Sequence, residues 1–129
     1  MGLAPIPSRM LHDSVTLKVV NGMDRYQEKT YDDYFIANVH LQNEEDTRKL
    51  ANDTEVQLKA ILFIDTRRSN PPDVDINALQ MQSLEKGDTM RALVYDASGN
   101  LSGDFAVLSV DGCPDVPATR VHHWELGLI

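Results

Sequence analysis

The sequence has few of the residues from which disulfides, phosphate-binding loops and membrane spans are built. It contains one cysteine among 129 residues, which excludes an internal disulfide and any site made of several cysteines. Its seven glycines are scattered, and no Walker A, G-x-G-x-x-G or G-x-S-x-G motif occurs. No apolar run approaches the roughly 20 residues that a membrane-spanning helix needs, so we expect no membrane partner.

Positive charge is also scarce. There are 12 Lys and Arg against 20 Asp and Glu, which gives a formal net charge of -8. A surface of that sign repels phosphate backbones, so sequence-independent binding to the outside of DNA or RNA is not expected. The apolar share of 42% is enough for one hydrophobic core. We expect a single domain over residues 1–129, with residues 1–13 as an extended N-terminal arm.

Apolar residues recur mainly at every second position, which is typical of strands with one buried face. Strands are predicted over residues 14–19, 34–42, 54–64, 89–95, 105–110 and 120–129. The core-facing residues expected in three of them are Val15, Leu17 and Val19; Phe35, Ala37, Val39 and Leu41; and Trp124, Leu126 and Leu128. His123 and Glu125 then lie on the opposite face of the last strand.

The segments between these strands favour turns and loops. Asn21–Tyr26 opens with an Asn-Gly pair that is favoured in hairpins. Asn43–Asp53 is polar throughout and predicts a long solvent-exposed connection, with at most one helical turn. Asn77–Ser83 fits a short helix or an irregular strand, and Cys113 is expected in a Gly-Cys-Pro turn. We predict a mainly β fold: a small antiparallel β-barrel of six or seven strands with long loops and little helix, with a sandwich as the alternative.

The titratable residues lack the spacing of a catalytic or metal site. The four histidines include no H-x-H or H-x-x-x-H pair, and adjacent His122 and His123 should point to opposite faces of a strand. The acidic pairs lie in polar connections, where both carboxylates are solvated. We therefore predict no catalytic residue, no metal site, no cofactor and no enzymatic activity.

Four segments taken in order resemble a known family. They are APIPSRMLHDSVT at residues 4–16, GMDRYQEKTY at 22–31, ILFIDTRRS at 61–69 and HHWELGLI at 122–129. The chain is similar in these to minor capsid proteins of tailed phages and prophages of Gram-positive bacteria, whose patterns run IPxxLLxHSVT, GxDRYGxxTY, xxFYDxxxS and HHYEVxLI. It departs from them at Gln27, where glycine is usual, at Trp124, which replaces tyrosine, and at Leu126, which replaces valine.

The resemblance implies a head-completion protein of the stopper type. Such proteins are small β-barrels that form a ring below the portal and adaptor, retain packaged DNA and provide the surface onto which the tail docks. The expected location is the head–tail junction of a virion assembled in the cytoplasm of the bacterial host. The expected partners are connector proteins on the portal and tail sides, other copies of this chain, and packaged DNA touched non-specifically in the channel.

A ring subunit needs two different patches that meet head to tail. Candidate patches are the N-terminal arm, the strand around Ile61 and Phe63, whose two faces are both apolar, and the loop at residues 65–75. The candidate interface residues are Leu3, Ile6, Met10, Leu11, Ile61, Phe63, Arg67 and Arg68. The alternative function is a barrel module of the oligonucleotide-binding type, which needs aromatic residues exposed on neighbouring strands.

Overall fold

Six antiparallel strands close into a barrel in a computed structural model, which describes residues 11–49, 55–114 and 121–129. The elements are β1 (Asp13–Met23), β2 (Lys29–Lys49), β3 (Glu55–Asp65), α1 (Ile76–Glu85), β4 (Arg91–Tyr95), β5 (Leu101–Pro114) and β6 (Val121–Leu128). Around the barrel the strand order is β1-β2-β3-β6-β5-β4. The predicted mainly β antiparallel barrel with little helix is confirmed. No helix in the described ranges is long and apolar enough to cross a bilayer.

Aliphatic side chains from all six strands fill the barrel. The buried core consists of Val15, Leu17, Val19, Ile36, Val39, Ala60, Leu62, Ile64, Ile76, Met90, Ala92, Val94, Val107, Trp124, Leu126 and Leu128. The inward faces predicted for β1 and β6 are therefore correct. Burial of this apolar surface is the main source of the barrel's stability.

A β-bulge in β2 makes the predicted inward face of that strand wrong in its first half. Asn38 has a left-handed backbone (φ 59°), and the pairing with β1 skips it, from Ser14 opposite Ala37 to Asp13 opposite Val39. The extra residue shifts the alternation by one position. As a result Ile36 is buried at 1% exposure, whereas Phe35, predicted to be in the core, is 58% exposed.

The loop after β3 holds this bulge in place. The buried Asp65 carboxylate accepts hydrogen bonds from the backbone N–H groups of Arg67 (2.8 Å) and Arg68 (2.9 Å). Ser69 Oγ accepts from the Asp65 N–H at 3.0 Å and donates to the Asn38 carbonyl at 2.7 Å. The aspartate and serine of the third family-like segment therefore build a loop that is hydrogen-bonded to the bulge.

Three local predictions are corrected by the backbone pairing. Residues 43–49 belong to β2 and pair with β3 as far as Lys49 opposite Glu55, although they lack apolar alternation. Ladder hydrogen bonds override local propensity there, and the rest of the predicted connection, residues 50–53, lies outside the described ranges. Asn21 and Gly22 lie within β1, since the chain turns only after Asp24. Cys113 lies within β5, opposite His123, not in a turn.

Helix α1 is attached to the barrel by Ile76, which is part of the core, and by two polar side chains. Met81 and Leu84 are exposed, but Gln80 and Ser83 are buried. Ser83 Oγ accepts from the Val20 N–H (3.1 Å) and donates to the Asp88 carbonyl (2.8 Å), and Gln80 accepts from the Met90 N–H (3.0 Å). The helix predicted as one of two alternatives for residues 77–83 thus forms.

We predict that Ser83→Ala lowers the free energy of unfolding by about 1–3 kcal/mol, because it leaves the buried Val20 N–H without its acceptor. Denaturant unfolding measures the change. Gln82→Ala, at an exposed position of the same helix, should change stability by less than about 0.5 kcal/mol. Equal effects of the two substitutions would contradict this role of Ser83.

Two hairpin turns have the same hydrogen bonding but a different residue at the left-handed position. In Asp24–Glu28 and in Asp96–Asn100, the first residue's carboxylate accepts from two N–H groups within the turn. Each turn also closes with backbone bonds from the first residue to the fourth and the fifth. The fourth residue is Gly99 (φ 84°) in one turn and Gln27 (φ 62°) in the other.

We predict that Gln27→Gly stabilises the protein by about 0.5–1 kcal/mol, since a left-handed backbone costs a side-chain-bearing residue about 1–2 kcal/mol and part is offset by chain entropy. The reciprocal Gly99→Gln should destabilise it. Thermal unfolding monitored by circular dichroism measures both. A lower Tm for Gln27→Gly would show that this turn does not carry backbone strain.

Candidate functional site

Polar side chains of three kinds meet on the outer face of β5 and β6. Cys113 pairs directly with His123, and Asp111 pairs with Glu125. Because side chains alternate along a strand, these four residues share the face opposite to buried Trp124. The predicted outward position of His123 and Glu125 is thus confirmed, and β5 adds a thiol beside them.

The thiol, imidazole and carboxylate lie close enough to act together. One ligand atom each from Cys113, His123 and Glu125 lies within 4.8 Å of the other two. The Cys113 thiol donates a hydrogen bond to Glu125 Oε2, with 3.1 Å between sulfur and oxygen. All three residues are half-buried. We call these three residues the Cys–His–Glu cluster.

An aromatic row extends from the cluster across three neighbouring strands. His123 of β6 contacts the Phe63 ring of β3 at 6.2 Å between centroids, and Phe63 stacks on His40 of β2 at 5.9 Å. His40 meets His12 edge to face at 6.0 Å. Contacts of this kind fix ring orientation on the barrel surface.

His122 contacts the cluster although it precedes His123 directly. The two Nδ1 atoms are 2.8 Å apart, so one ring donates a hydrogen bond to the other. Their planes are nearly perpendicular. The expectation that adjacent histidines on a strand point apart does not hold for these two nitrogens.

The surroundings shift two pKa values in directions that disfavour charge. Burial, together with the hydrogen bond and charge of Glu125 and the charge of Asp111, raises the pKa of Cys113 to about 11. Burial lowers the pKa of His123, an effect that Glu125 opposes. A nucleophilic cysteine requires a lowered pKa. The environment of Cys113 therefore does the opposite of activating it as a nucleophile.

The predicted interface residues are not gathered into one place. Leu11 is buried at 3% exposure and Ile61 at 8%, so their surfaces are largely covered within the chain. Phe63 is half-buried and belongs to the aromatic row, while Arg67 is half-buried and Arg68 exposed on the loop after β3. Leu3, Ile6 and Met10 lie outside the described residues.

Two clefts lie among the described residues. The larger has a volume of about 220 Å³ and is lined by Thr66, Asp73, Val74, Asp75, Val121 and Trp124. A second, of about 80 Å³, lies between β1 and α1. Both fall short of the roughly 300–1,000 Å³ typical of small-molecule sites.

Comparisons with family models, curated proteins and solved structures find no match to this chain.

We predict that iodoacetamide alkylates Cys113 in the metal-free protein about tenfold more slowly than a free cysteine. The rise in the pKa of Cys113 from 9.0 to about 11 lowers the thiolate fraction about a hundredfold. A more basic thiolate is also a better nucleophile, which raises the rate again by about tenfold. Glu125→Gln removes a carboxylate that raises this pKa, so alkylation should become several-fold faster. Glu85→Gln, on exposed helix surface, is the control and should leave the rate unchanged.

Proposed function

We propose that this chain is a structural protein of a phage head–tail connector. It assembles as a ring below the portal, helps to retain packaged DNA and provides a surface for tail docking. Two observations support this: the four family-like segments occur in order between residues 4 and 129, and the fold is a small antiparallel barrel, as expected of stopper proteins. Its location is then the head–tail junction of the virion.

The observation that carries the proposal is a two-stranded projection from the barrel. Thr47–Lys49 of β2 pair with Glu55–Gln57 of β3, beyond the fully buried Leu58, and no other strand in the described ranges pairs with this part of either strand. We call it the hairpin extension. A two-stranded hairpin is marginally stable alone in water, and its free edges can pair with another chain. The extension therefore suits contact with a neighbouring subunit or connector protein.

A second, different surface is available on the β1–β2 side of the barrel. Met23 (58%) and Tyr26 (69%) are exposed at the β1–β2 turn. A ring built head to tail requires two unlike patches on each subunit. The hairpin extension and the exposed apolar residues of the β1–β2 turn are two such unlike patches, and neither contains an interface residue predicted from the sequence.

The net charge of -8 suits a subunit that lines a DNA channel without holding the DNA, because like charges repel. The same charge disfavours the alternative, an oligonucleotide-binding barrel module. A gel-shift assay with single-stranded DNA at low salt separates the two functions. Tight binding that weakens steeply with salt would favour the alternative.

We predict that particles lacking this protein have heads that lose their DNA and carry no tails. The measurement is electron microscopy of lysates from a host whose phage or prophage has this gene deleted. Complementation with the full-length chain should restore tailed particles. Normal infectious particles in its absence would refute the proposal.

Complementation with point variants tests the hairpin extension. Thr47→Pro removes a backbone N–H from β2 within the extension and should abolish complementation. Thr47→Val keeps the donor and should complement. Because the extension lies outside the barrel, the Tm of Thr47→Pro should stay within a few degrees of wild type. Full complementation by Thr47→Pro would exclude the extension as an assembly surface.

A further inference from the structure

We propose that Cys113, His123 and Glu125 form a binding site for a thiophilic divalent cation, for which Zn²⁺ is the best fit. The three side chains supply sulfur, nitrogen and oxygen ligands, and a fourth tetrahedral position is open to water or to a group from another chain. The inference goes beyond the proposed function and does not depend on it.

The distances suit a tetrahedral ion after small side-chain movements. Zinc bonds are about 2.3 Å to sulfur and about 2.0–2.2 Å to nitrogen and oxygen, so tetrahedral ligand atoms lie about 3.3–3.6 Å apart. In the protein the three ligand atoms lie within 4.8 Å of one another, and the Cys113 sulfur is 3.1 Å from the Glu125 oxygen. Movements of about 1 Å, within reach of rotation about side-chain bonds, would bring all three onto one ion.

The backbone already holds these ligands in register. Cys113 and His123 are cross-strand partners, and Glu125 follows two residues later on the same face of β6. Both strands belong to the closed barrel, so little chain entropy is lost when the ion binds. A site on rigid strands is better preorganised than one on loops.

A neighbouring side chain orients the imidazole. Metal-bound histidines usually engage their second ring nitrogen in a hydrogen bond, which fixes the tautomer and the ring. The 2.8 Å contact between the Nδ1 atoms of His122 and His123 gives the His123 ring such a hydrogen-bond partner. The Phe63 ring also contacts the His123 ring, with 6.2 Å between the two centroids.

The local charge favours a cation, and the ligand types favour zinc. The carboxylates of Asp111 and Asp65 act electrostatically on Cys113 and His123, respectively, in addition to Glu125. A thiolate with an imidazole selects zinc over calcium or magnesium, which prefer oxygen ligands throughout. Binding transfers the Cys113 proton to solvent, so the thiol becomes a thiolate ligand and no oxidant is needed.

This inference reverses the sequence-based expectation of no metal site, which was drawn from spacing along the chain. Cys113 lies ten residues before His123, and their proximity depends on the antiparallel pairing of β5 with β6. No local motif could show it.

The test is titration of the metal-free full-length chain with Co²⁺ as a spectroscopic probe, followed by Zn²⁺. We expect one equivalent of Co²⁺ to give a thiolate-to-cobalt absorption band with the intense visible bands of tetrahedral cobalt, and Zn²⁺ to displace it. Cys113→Ala should abolish the thiolate band, and His123→Ala or Glu125→Gln should weaken Co²⁺ binding at least tenfold. His12→Ala, at the far end of the aromatic row, should bind as wild type.

A second readout does not depend on cobalt spectra. Saturating Zn²⁺ should protect Cys113 from alkylation and raise Tm by several degrees, and Cys113→Ala should abolish the rise. Circular dichroism of each variant, compared with wild type, separates lost ligands from lost folding. The proposal is overturned if the wild type shows no thiolate–cobalt band, or if wild type and Cys113→Ala gain equally in Tm from Zn²⁺.

Discussion

The barrel depends on one polar contact between a bulge and a loop. The left-handed residue Asn38 lets β2 place Ile36 and Val39 in the same core, although they are three positions apart. The bulge is secured by Ser69, whose hydroxyl receives a hydrogen bond from Asp65 and gives one to the Asn38 carbonyl. Buried polar groups are costly unless they are fully hydrogen-bonded, and here the bonds also fix the strand register.

Because of the bulge, β2 has core residues on both sides of Asn38. Its first half pairs with β1 and its second half with β3. β2 and β3 continue to pair with each other beyond Ala60, the last residue of β3 that pairs with β6. The barrel interior is filled with aliphatic side chains, so the distinctive features of the chain lie outside it: the hairpin extension, the exposed apolar residues near the β1–β2 turn, and the Cys–His–Glu cluster. This distribution suits a protein that acts through contacts with other chains.

The surroundings of the Cys–His–Glu cluster disfavour a thiolate at Cys113, but the positions of the three side chains favour binding of a metal ion. In the absence of a cation, burial, together with Glu125 and Asp111, raises the pKa of Cys113 and keeps its thiol protonated. The same negative groups attract a cation, which would replace the proton on sulfur. The carboxylates that help to keep the thiol protonated are therefore the same ones that favour a cation at this place.

The sequence by itself determined the strand-rich class and the inward faces of β1 and β6, because period-two alternation reports directly which side of a strand is buried. It also placed His123 and Glu125 outward. It misplaced Phe35, because a bulge changes the alternation without a composition signal, and it assigned residues 43–49 to a loop, because ladder pairing needs no apolar side chains.

Only the tertiary structure decided that Cys113 lies within β5, opposite His123. Which residues of two separate strands become neighbours depends on the pairing register, which is fixed by core packing and bulges along the whole barrel, not by the residues that meet.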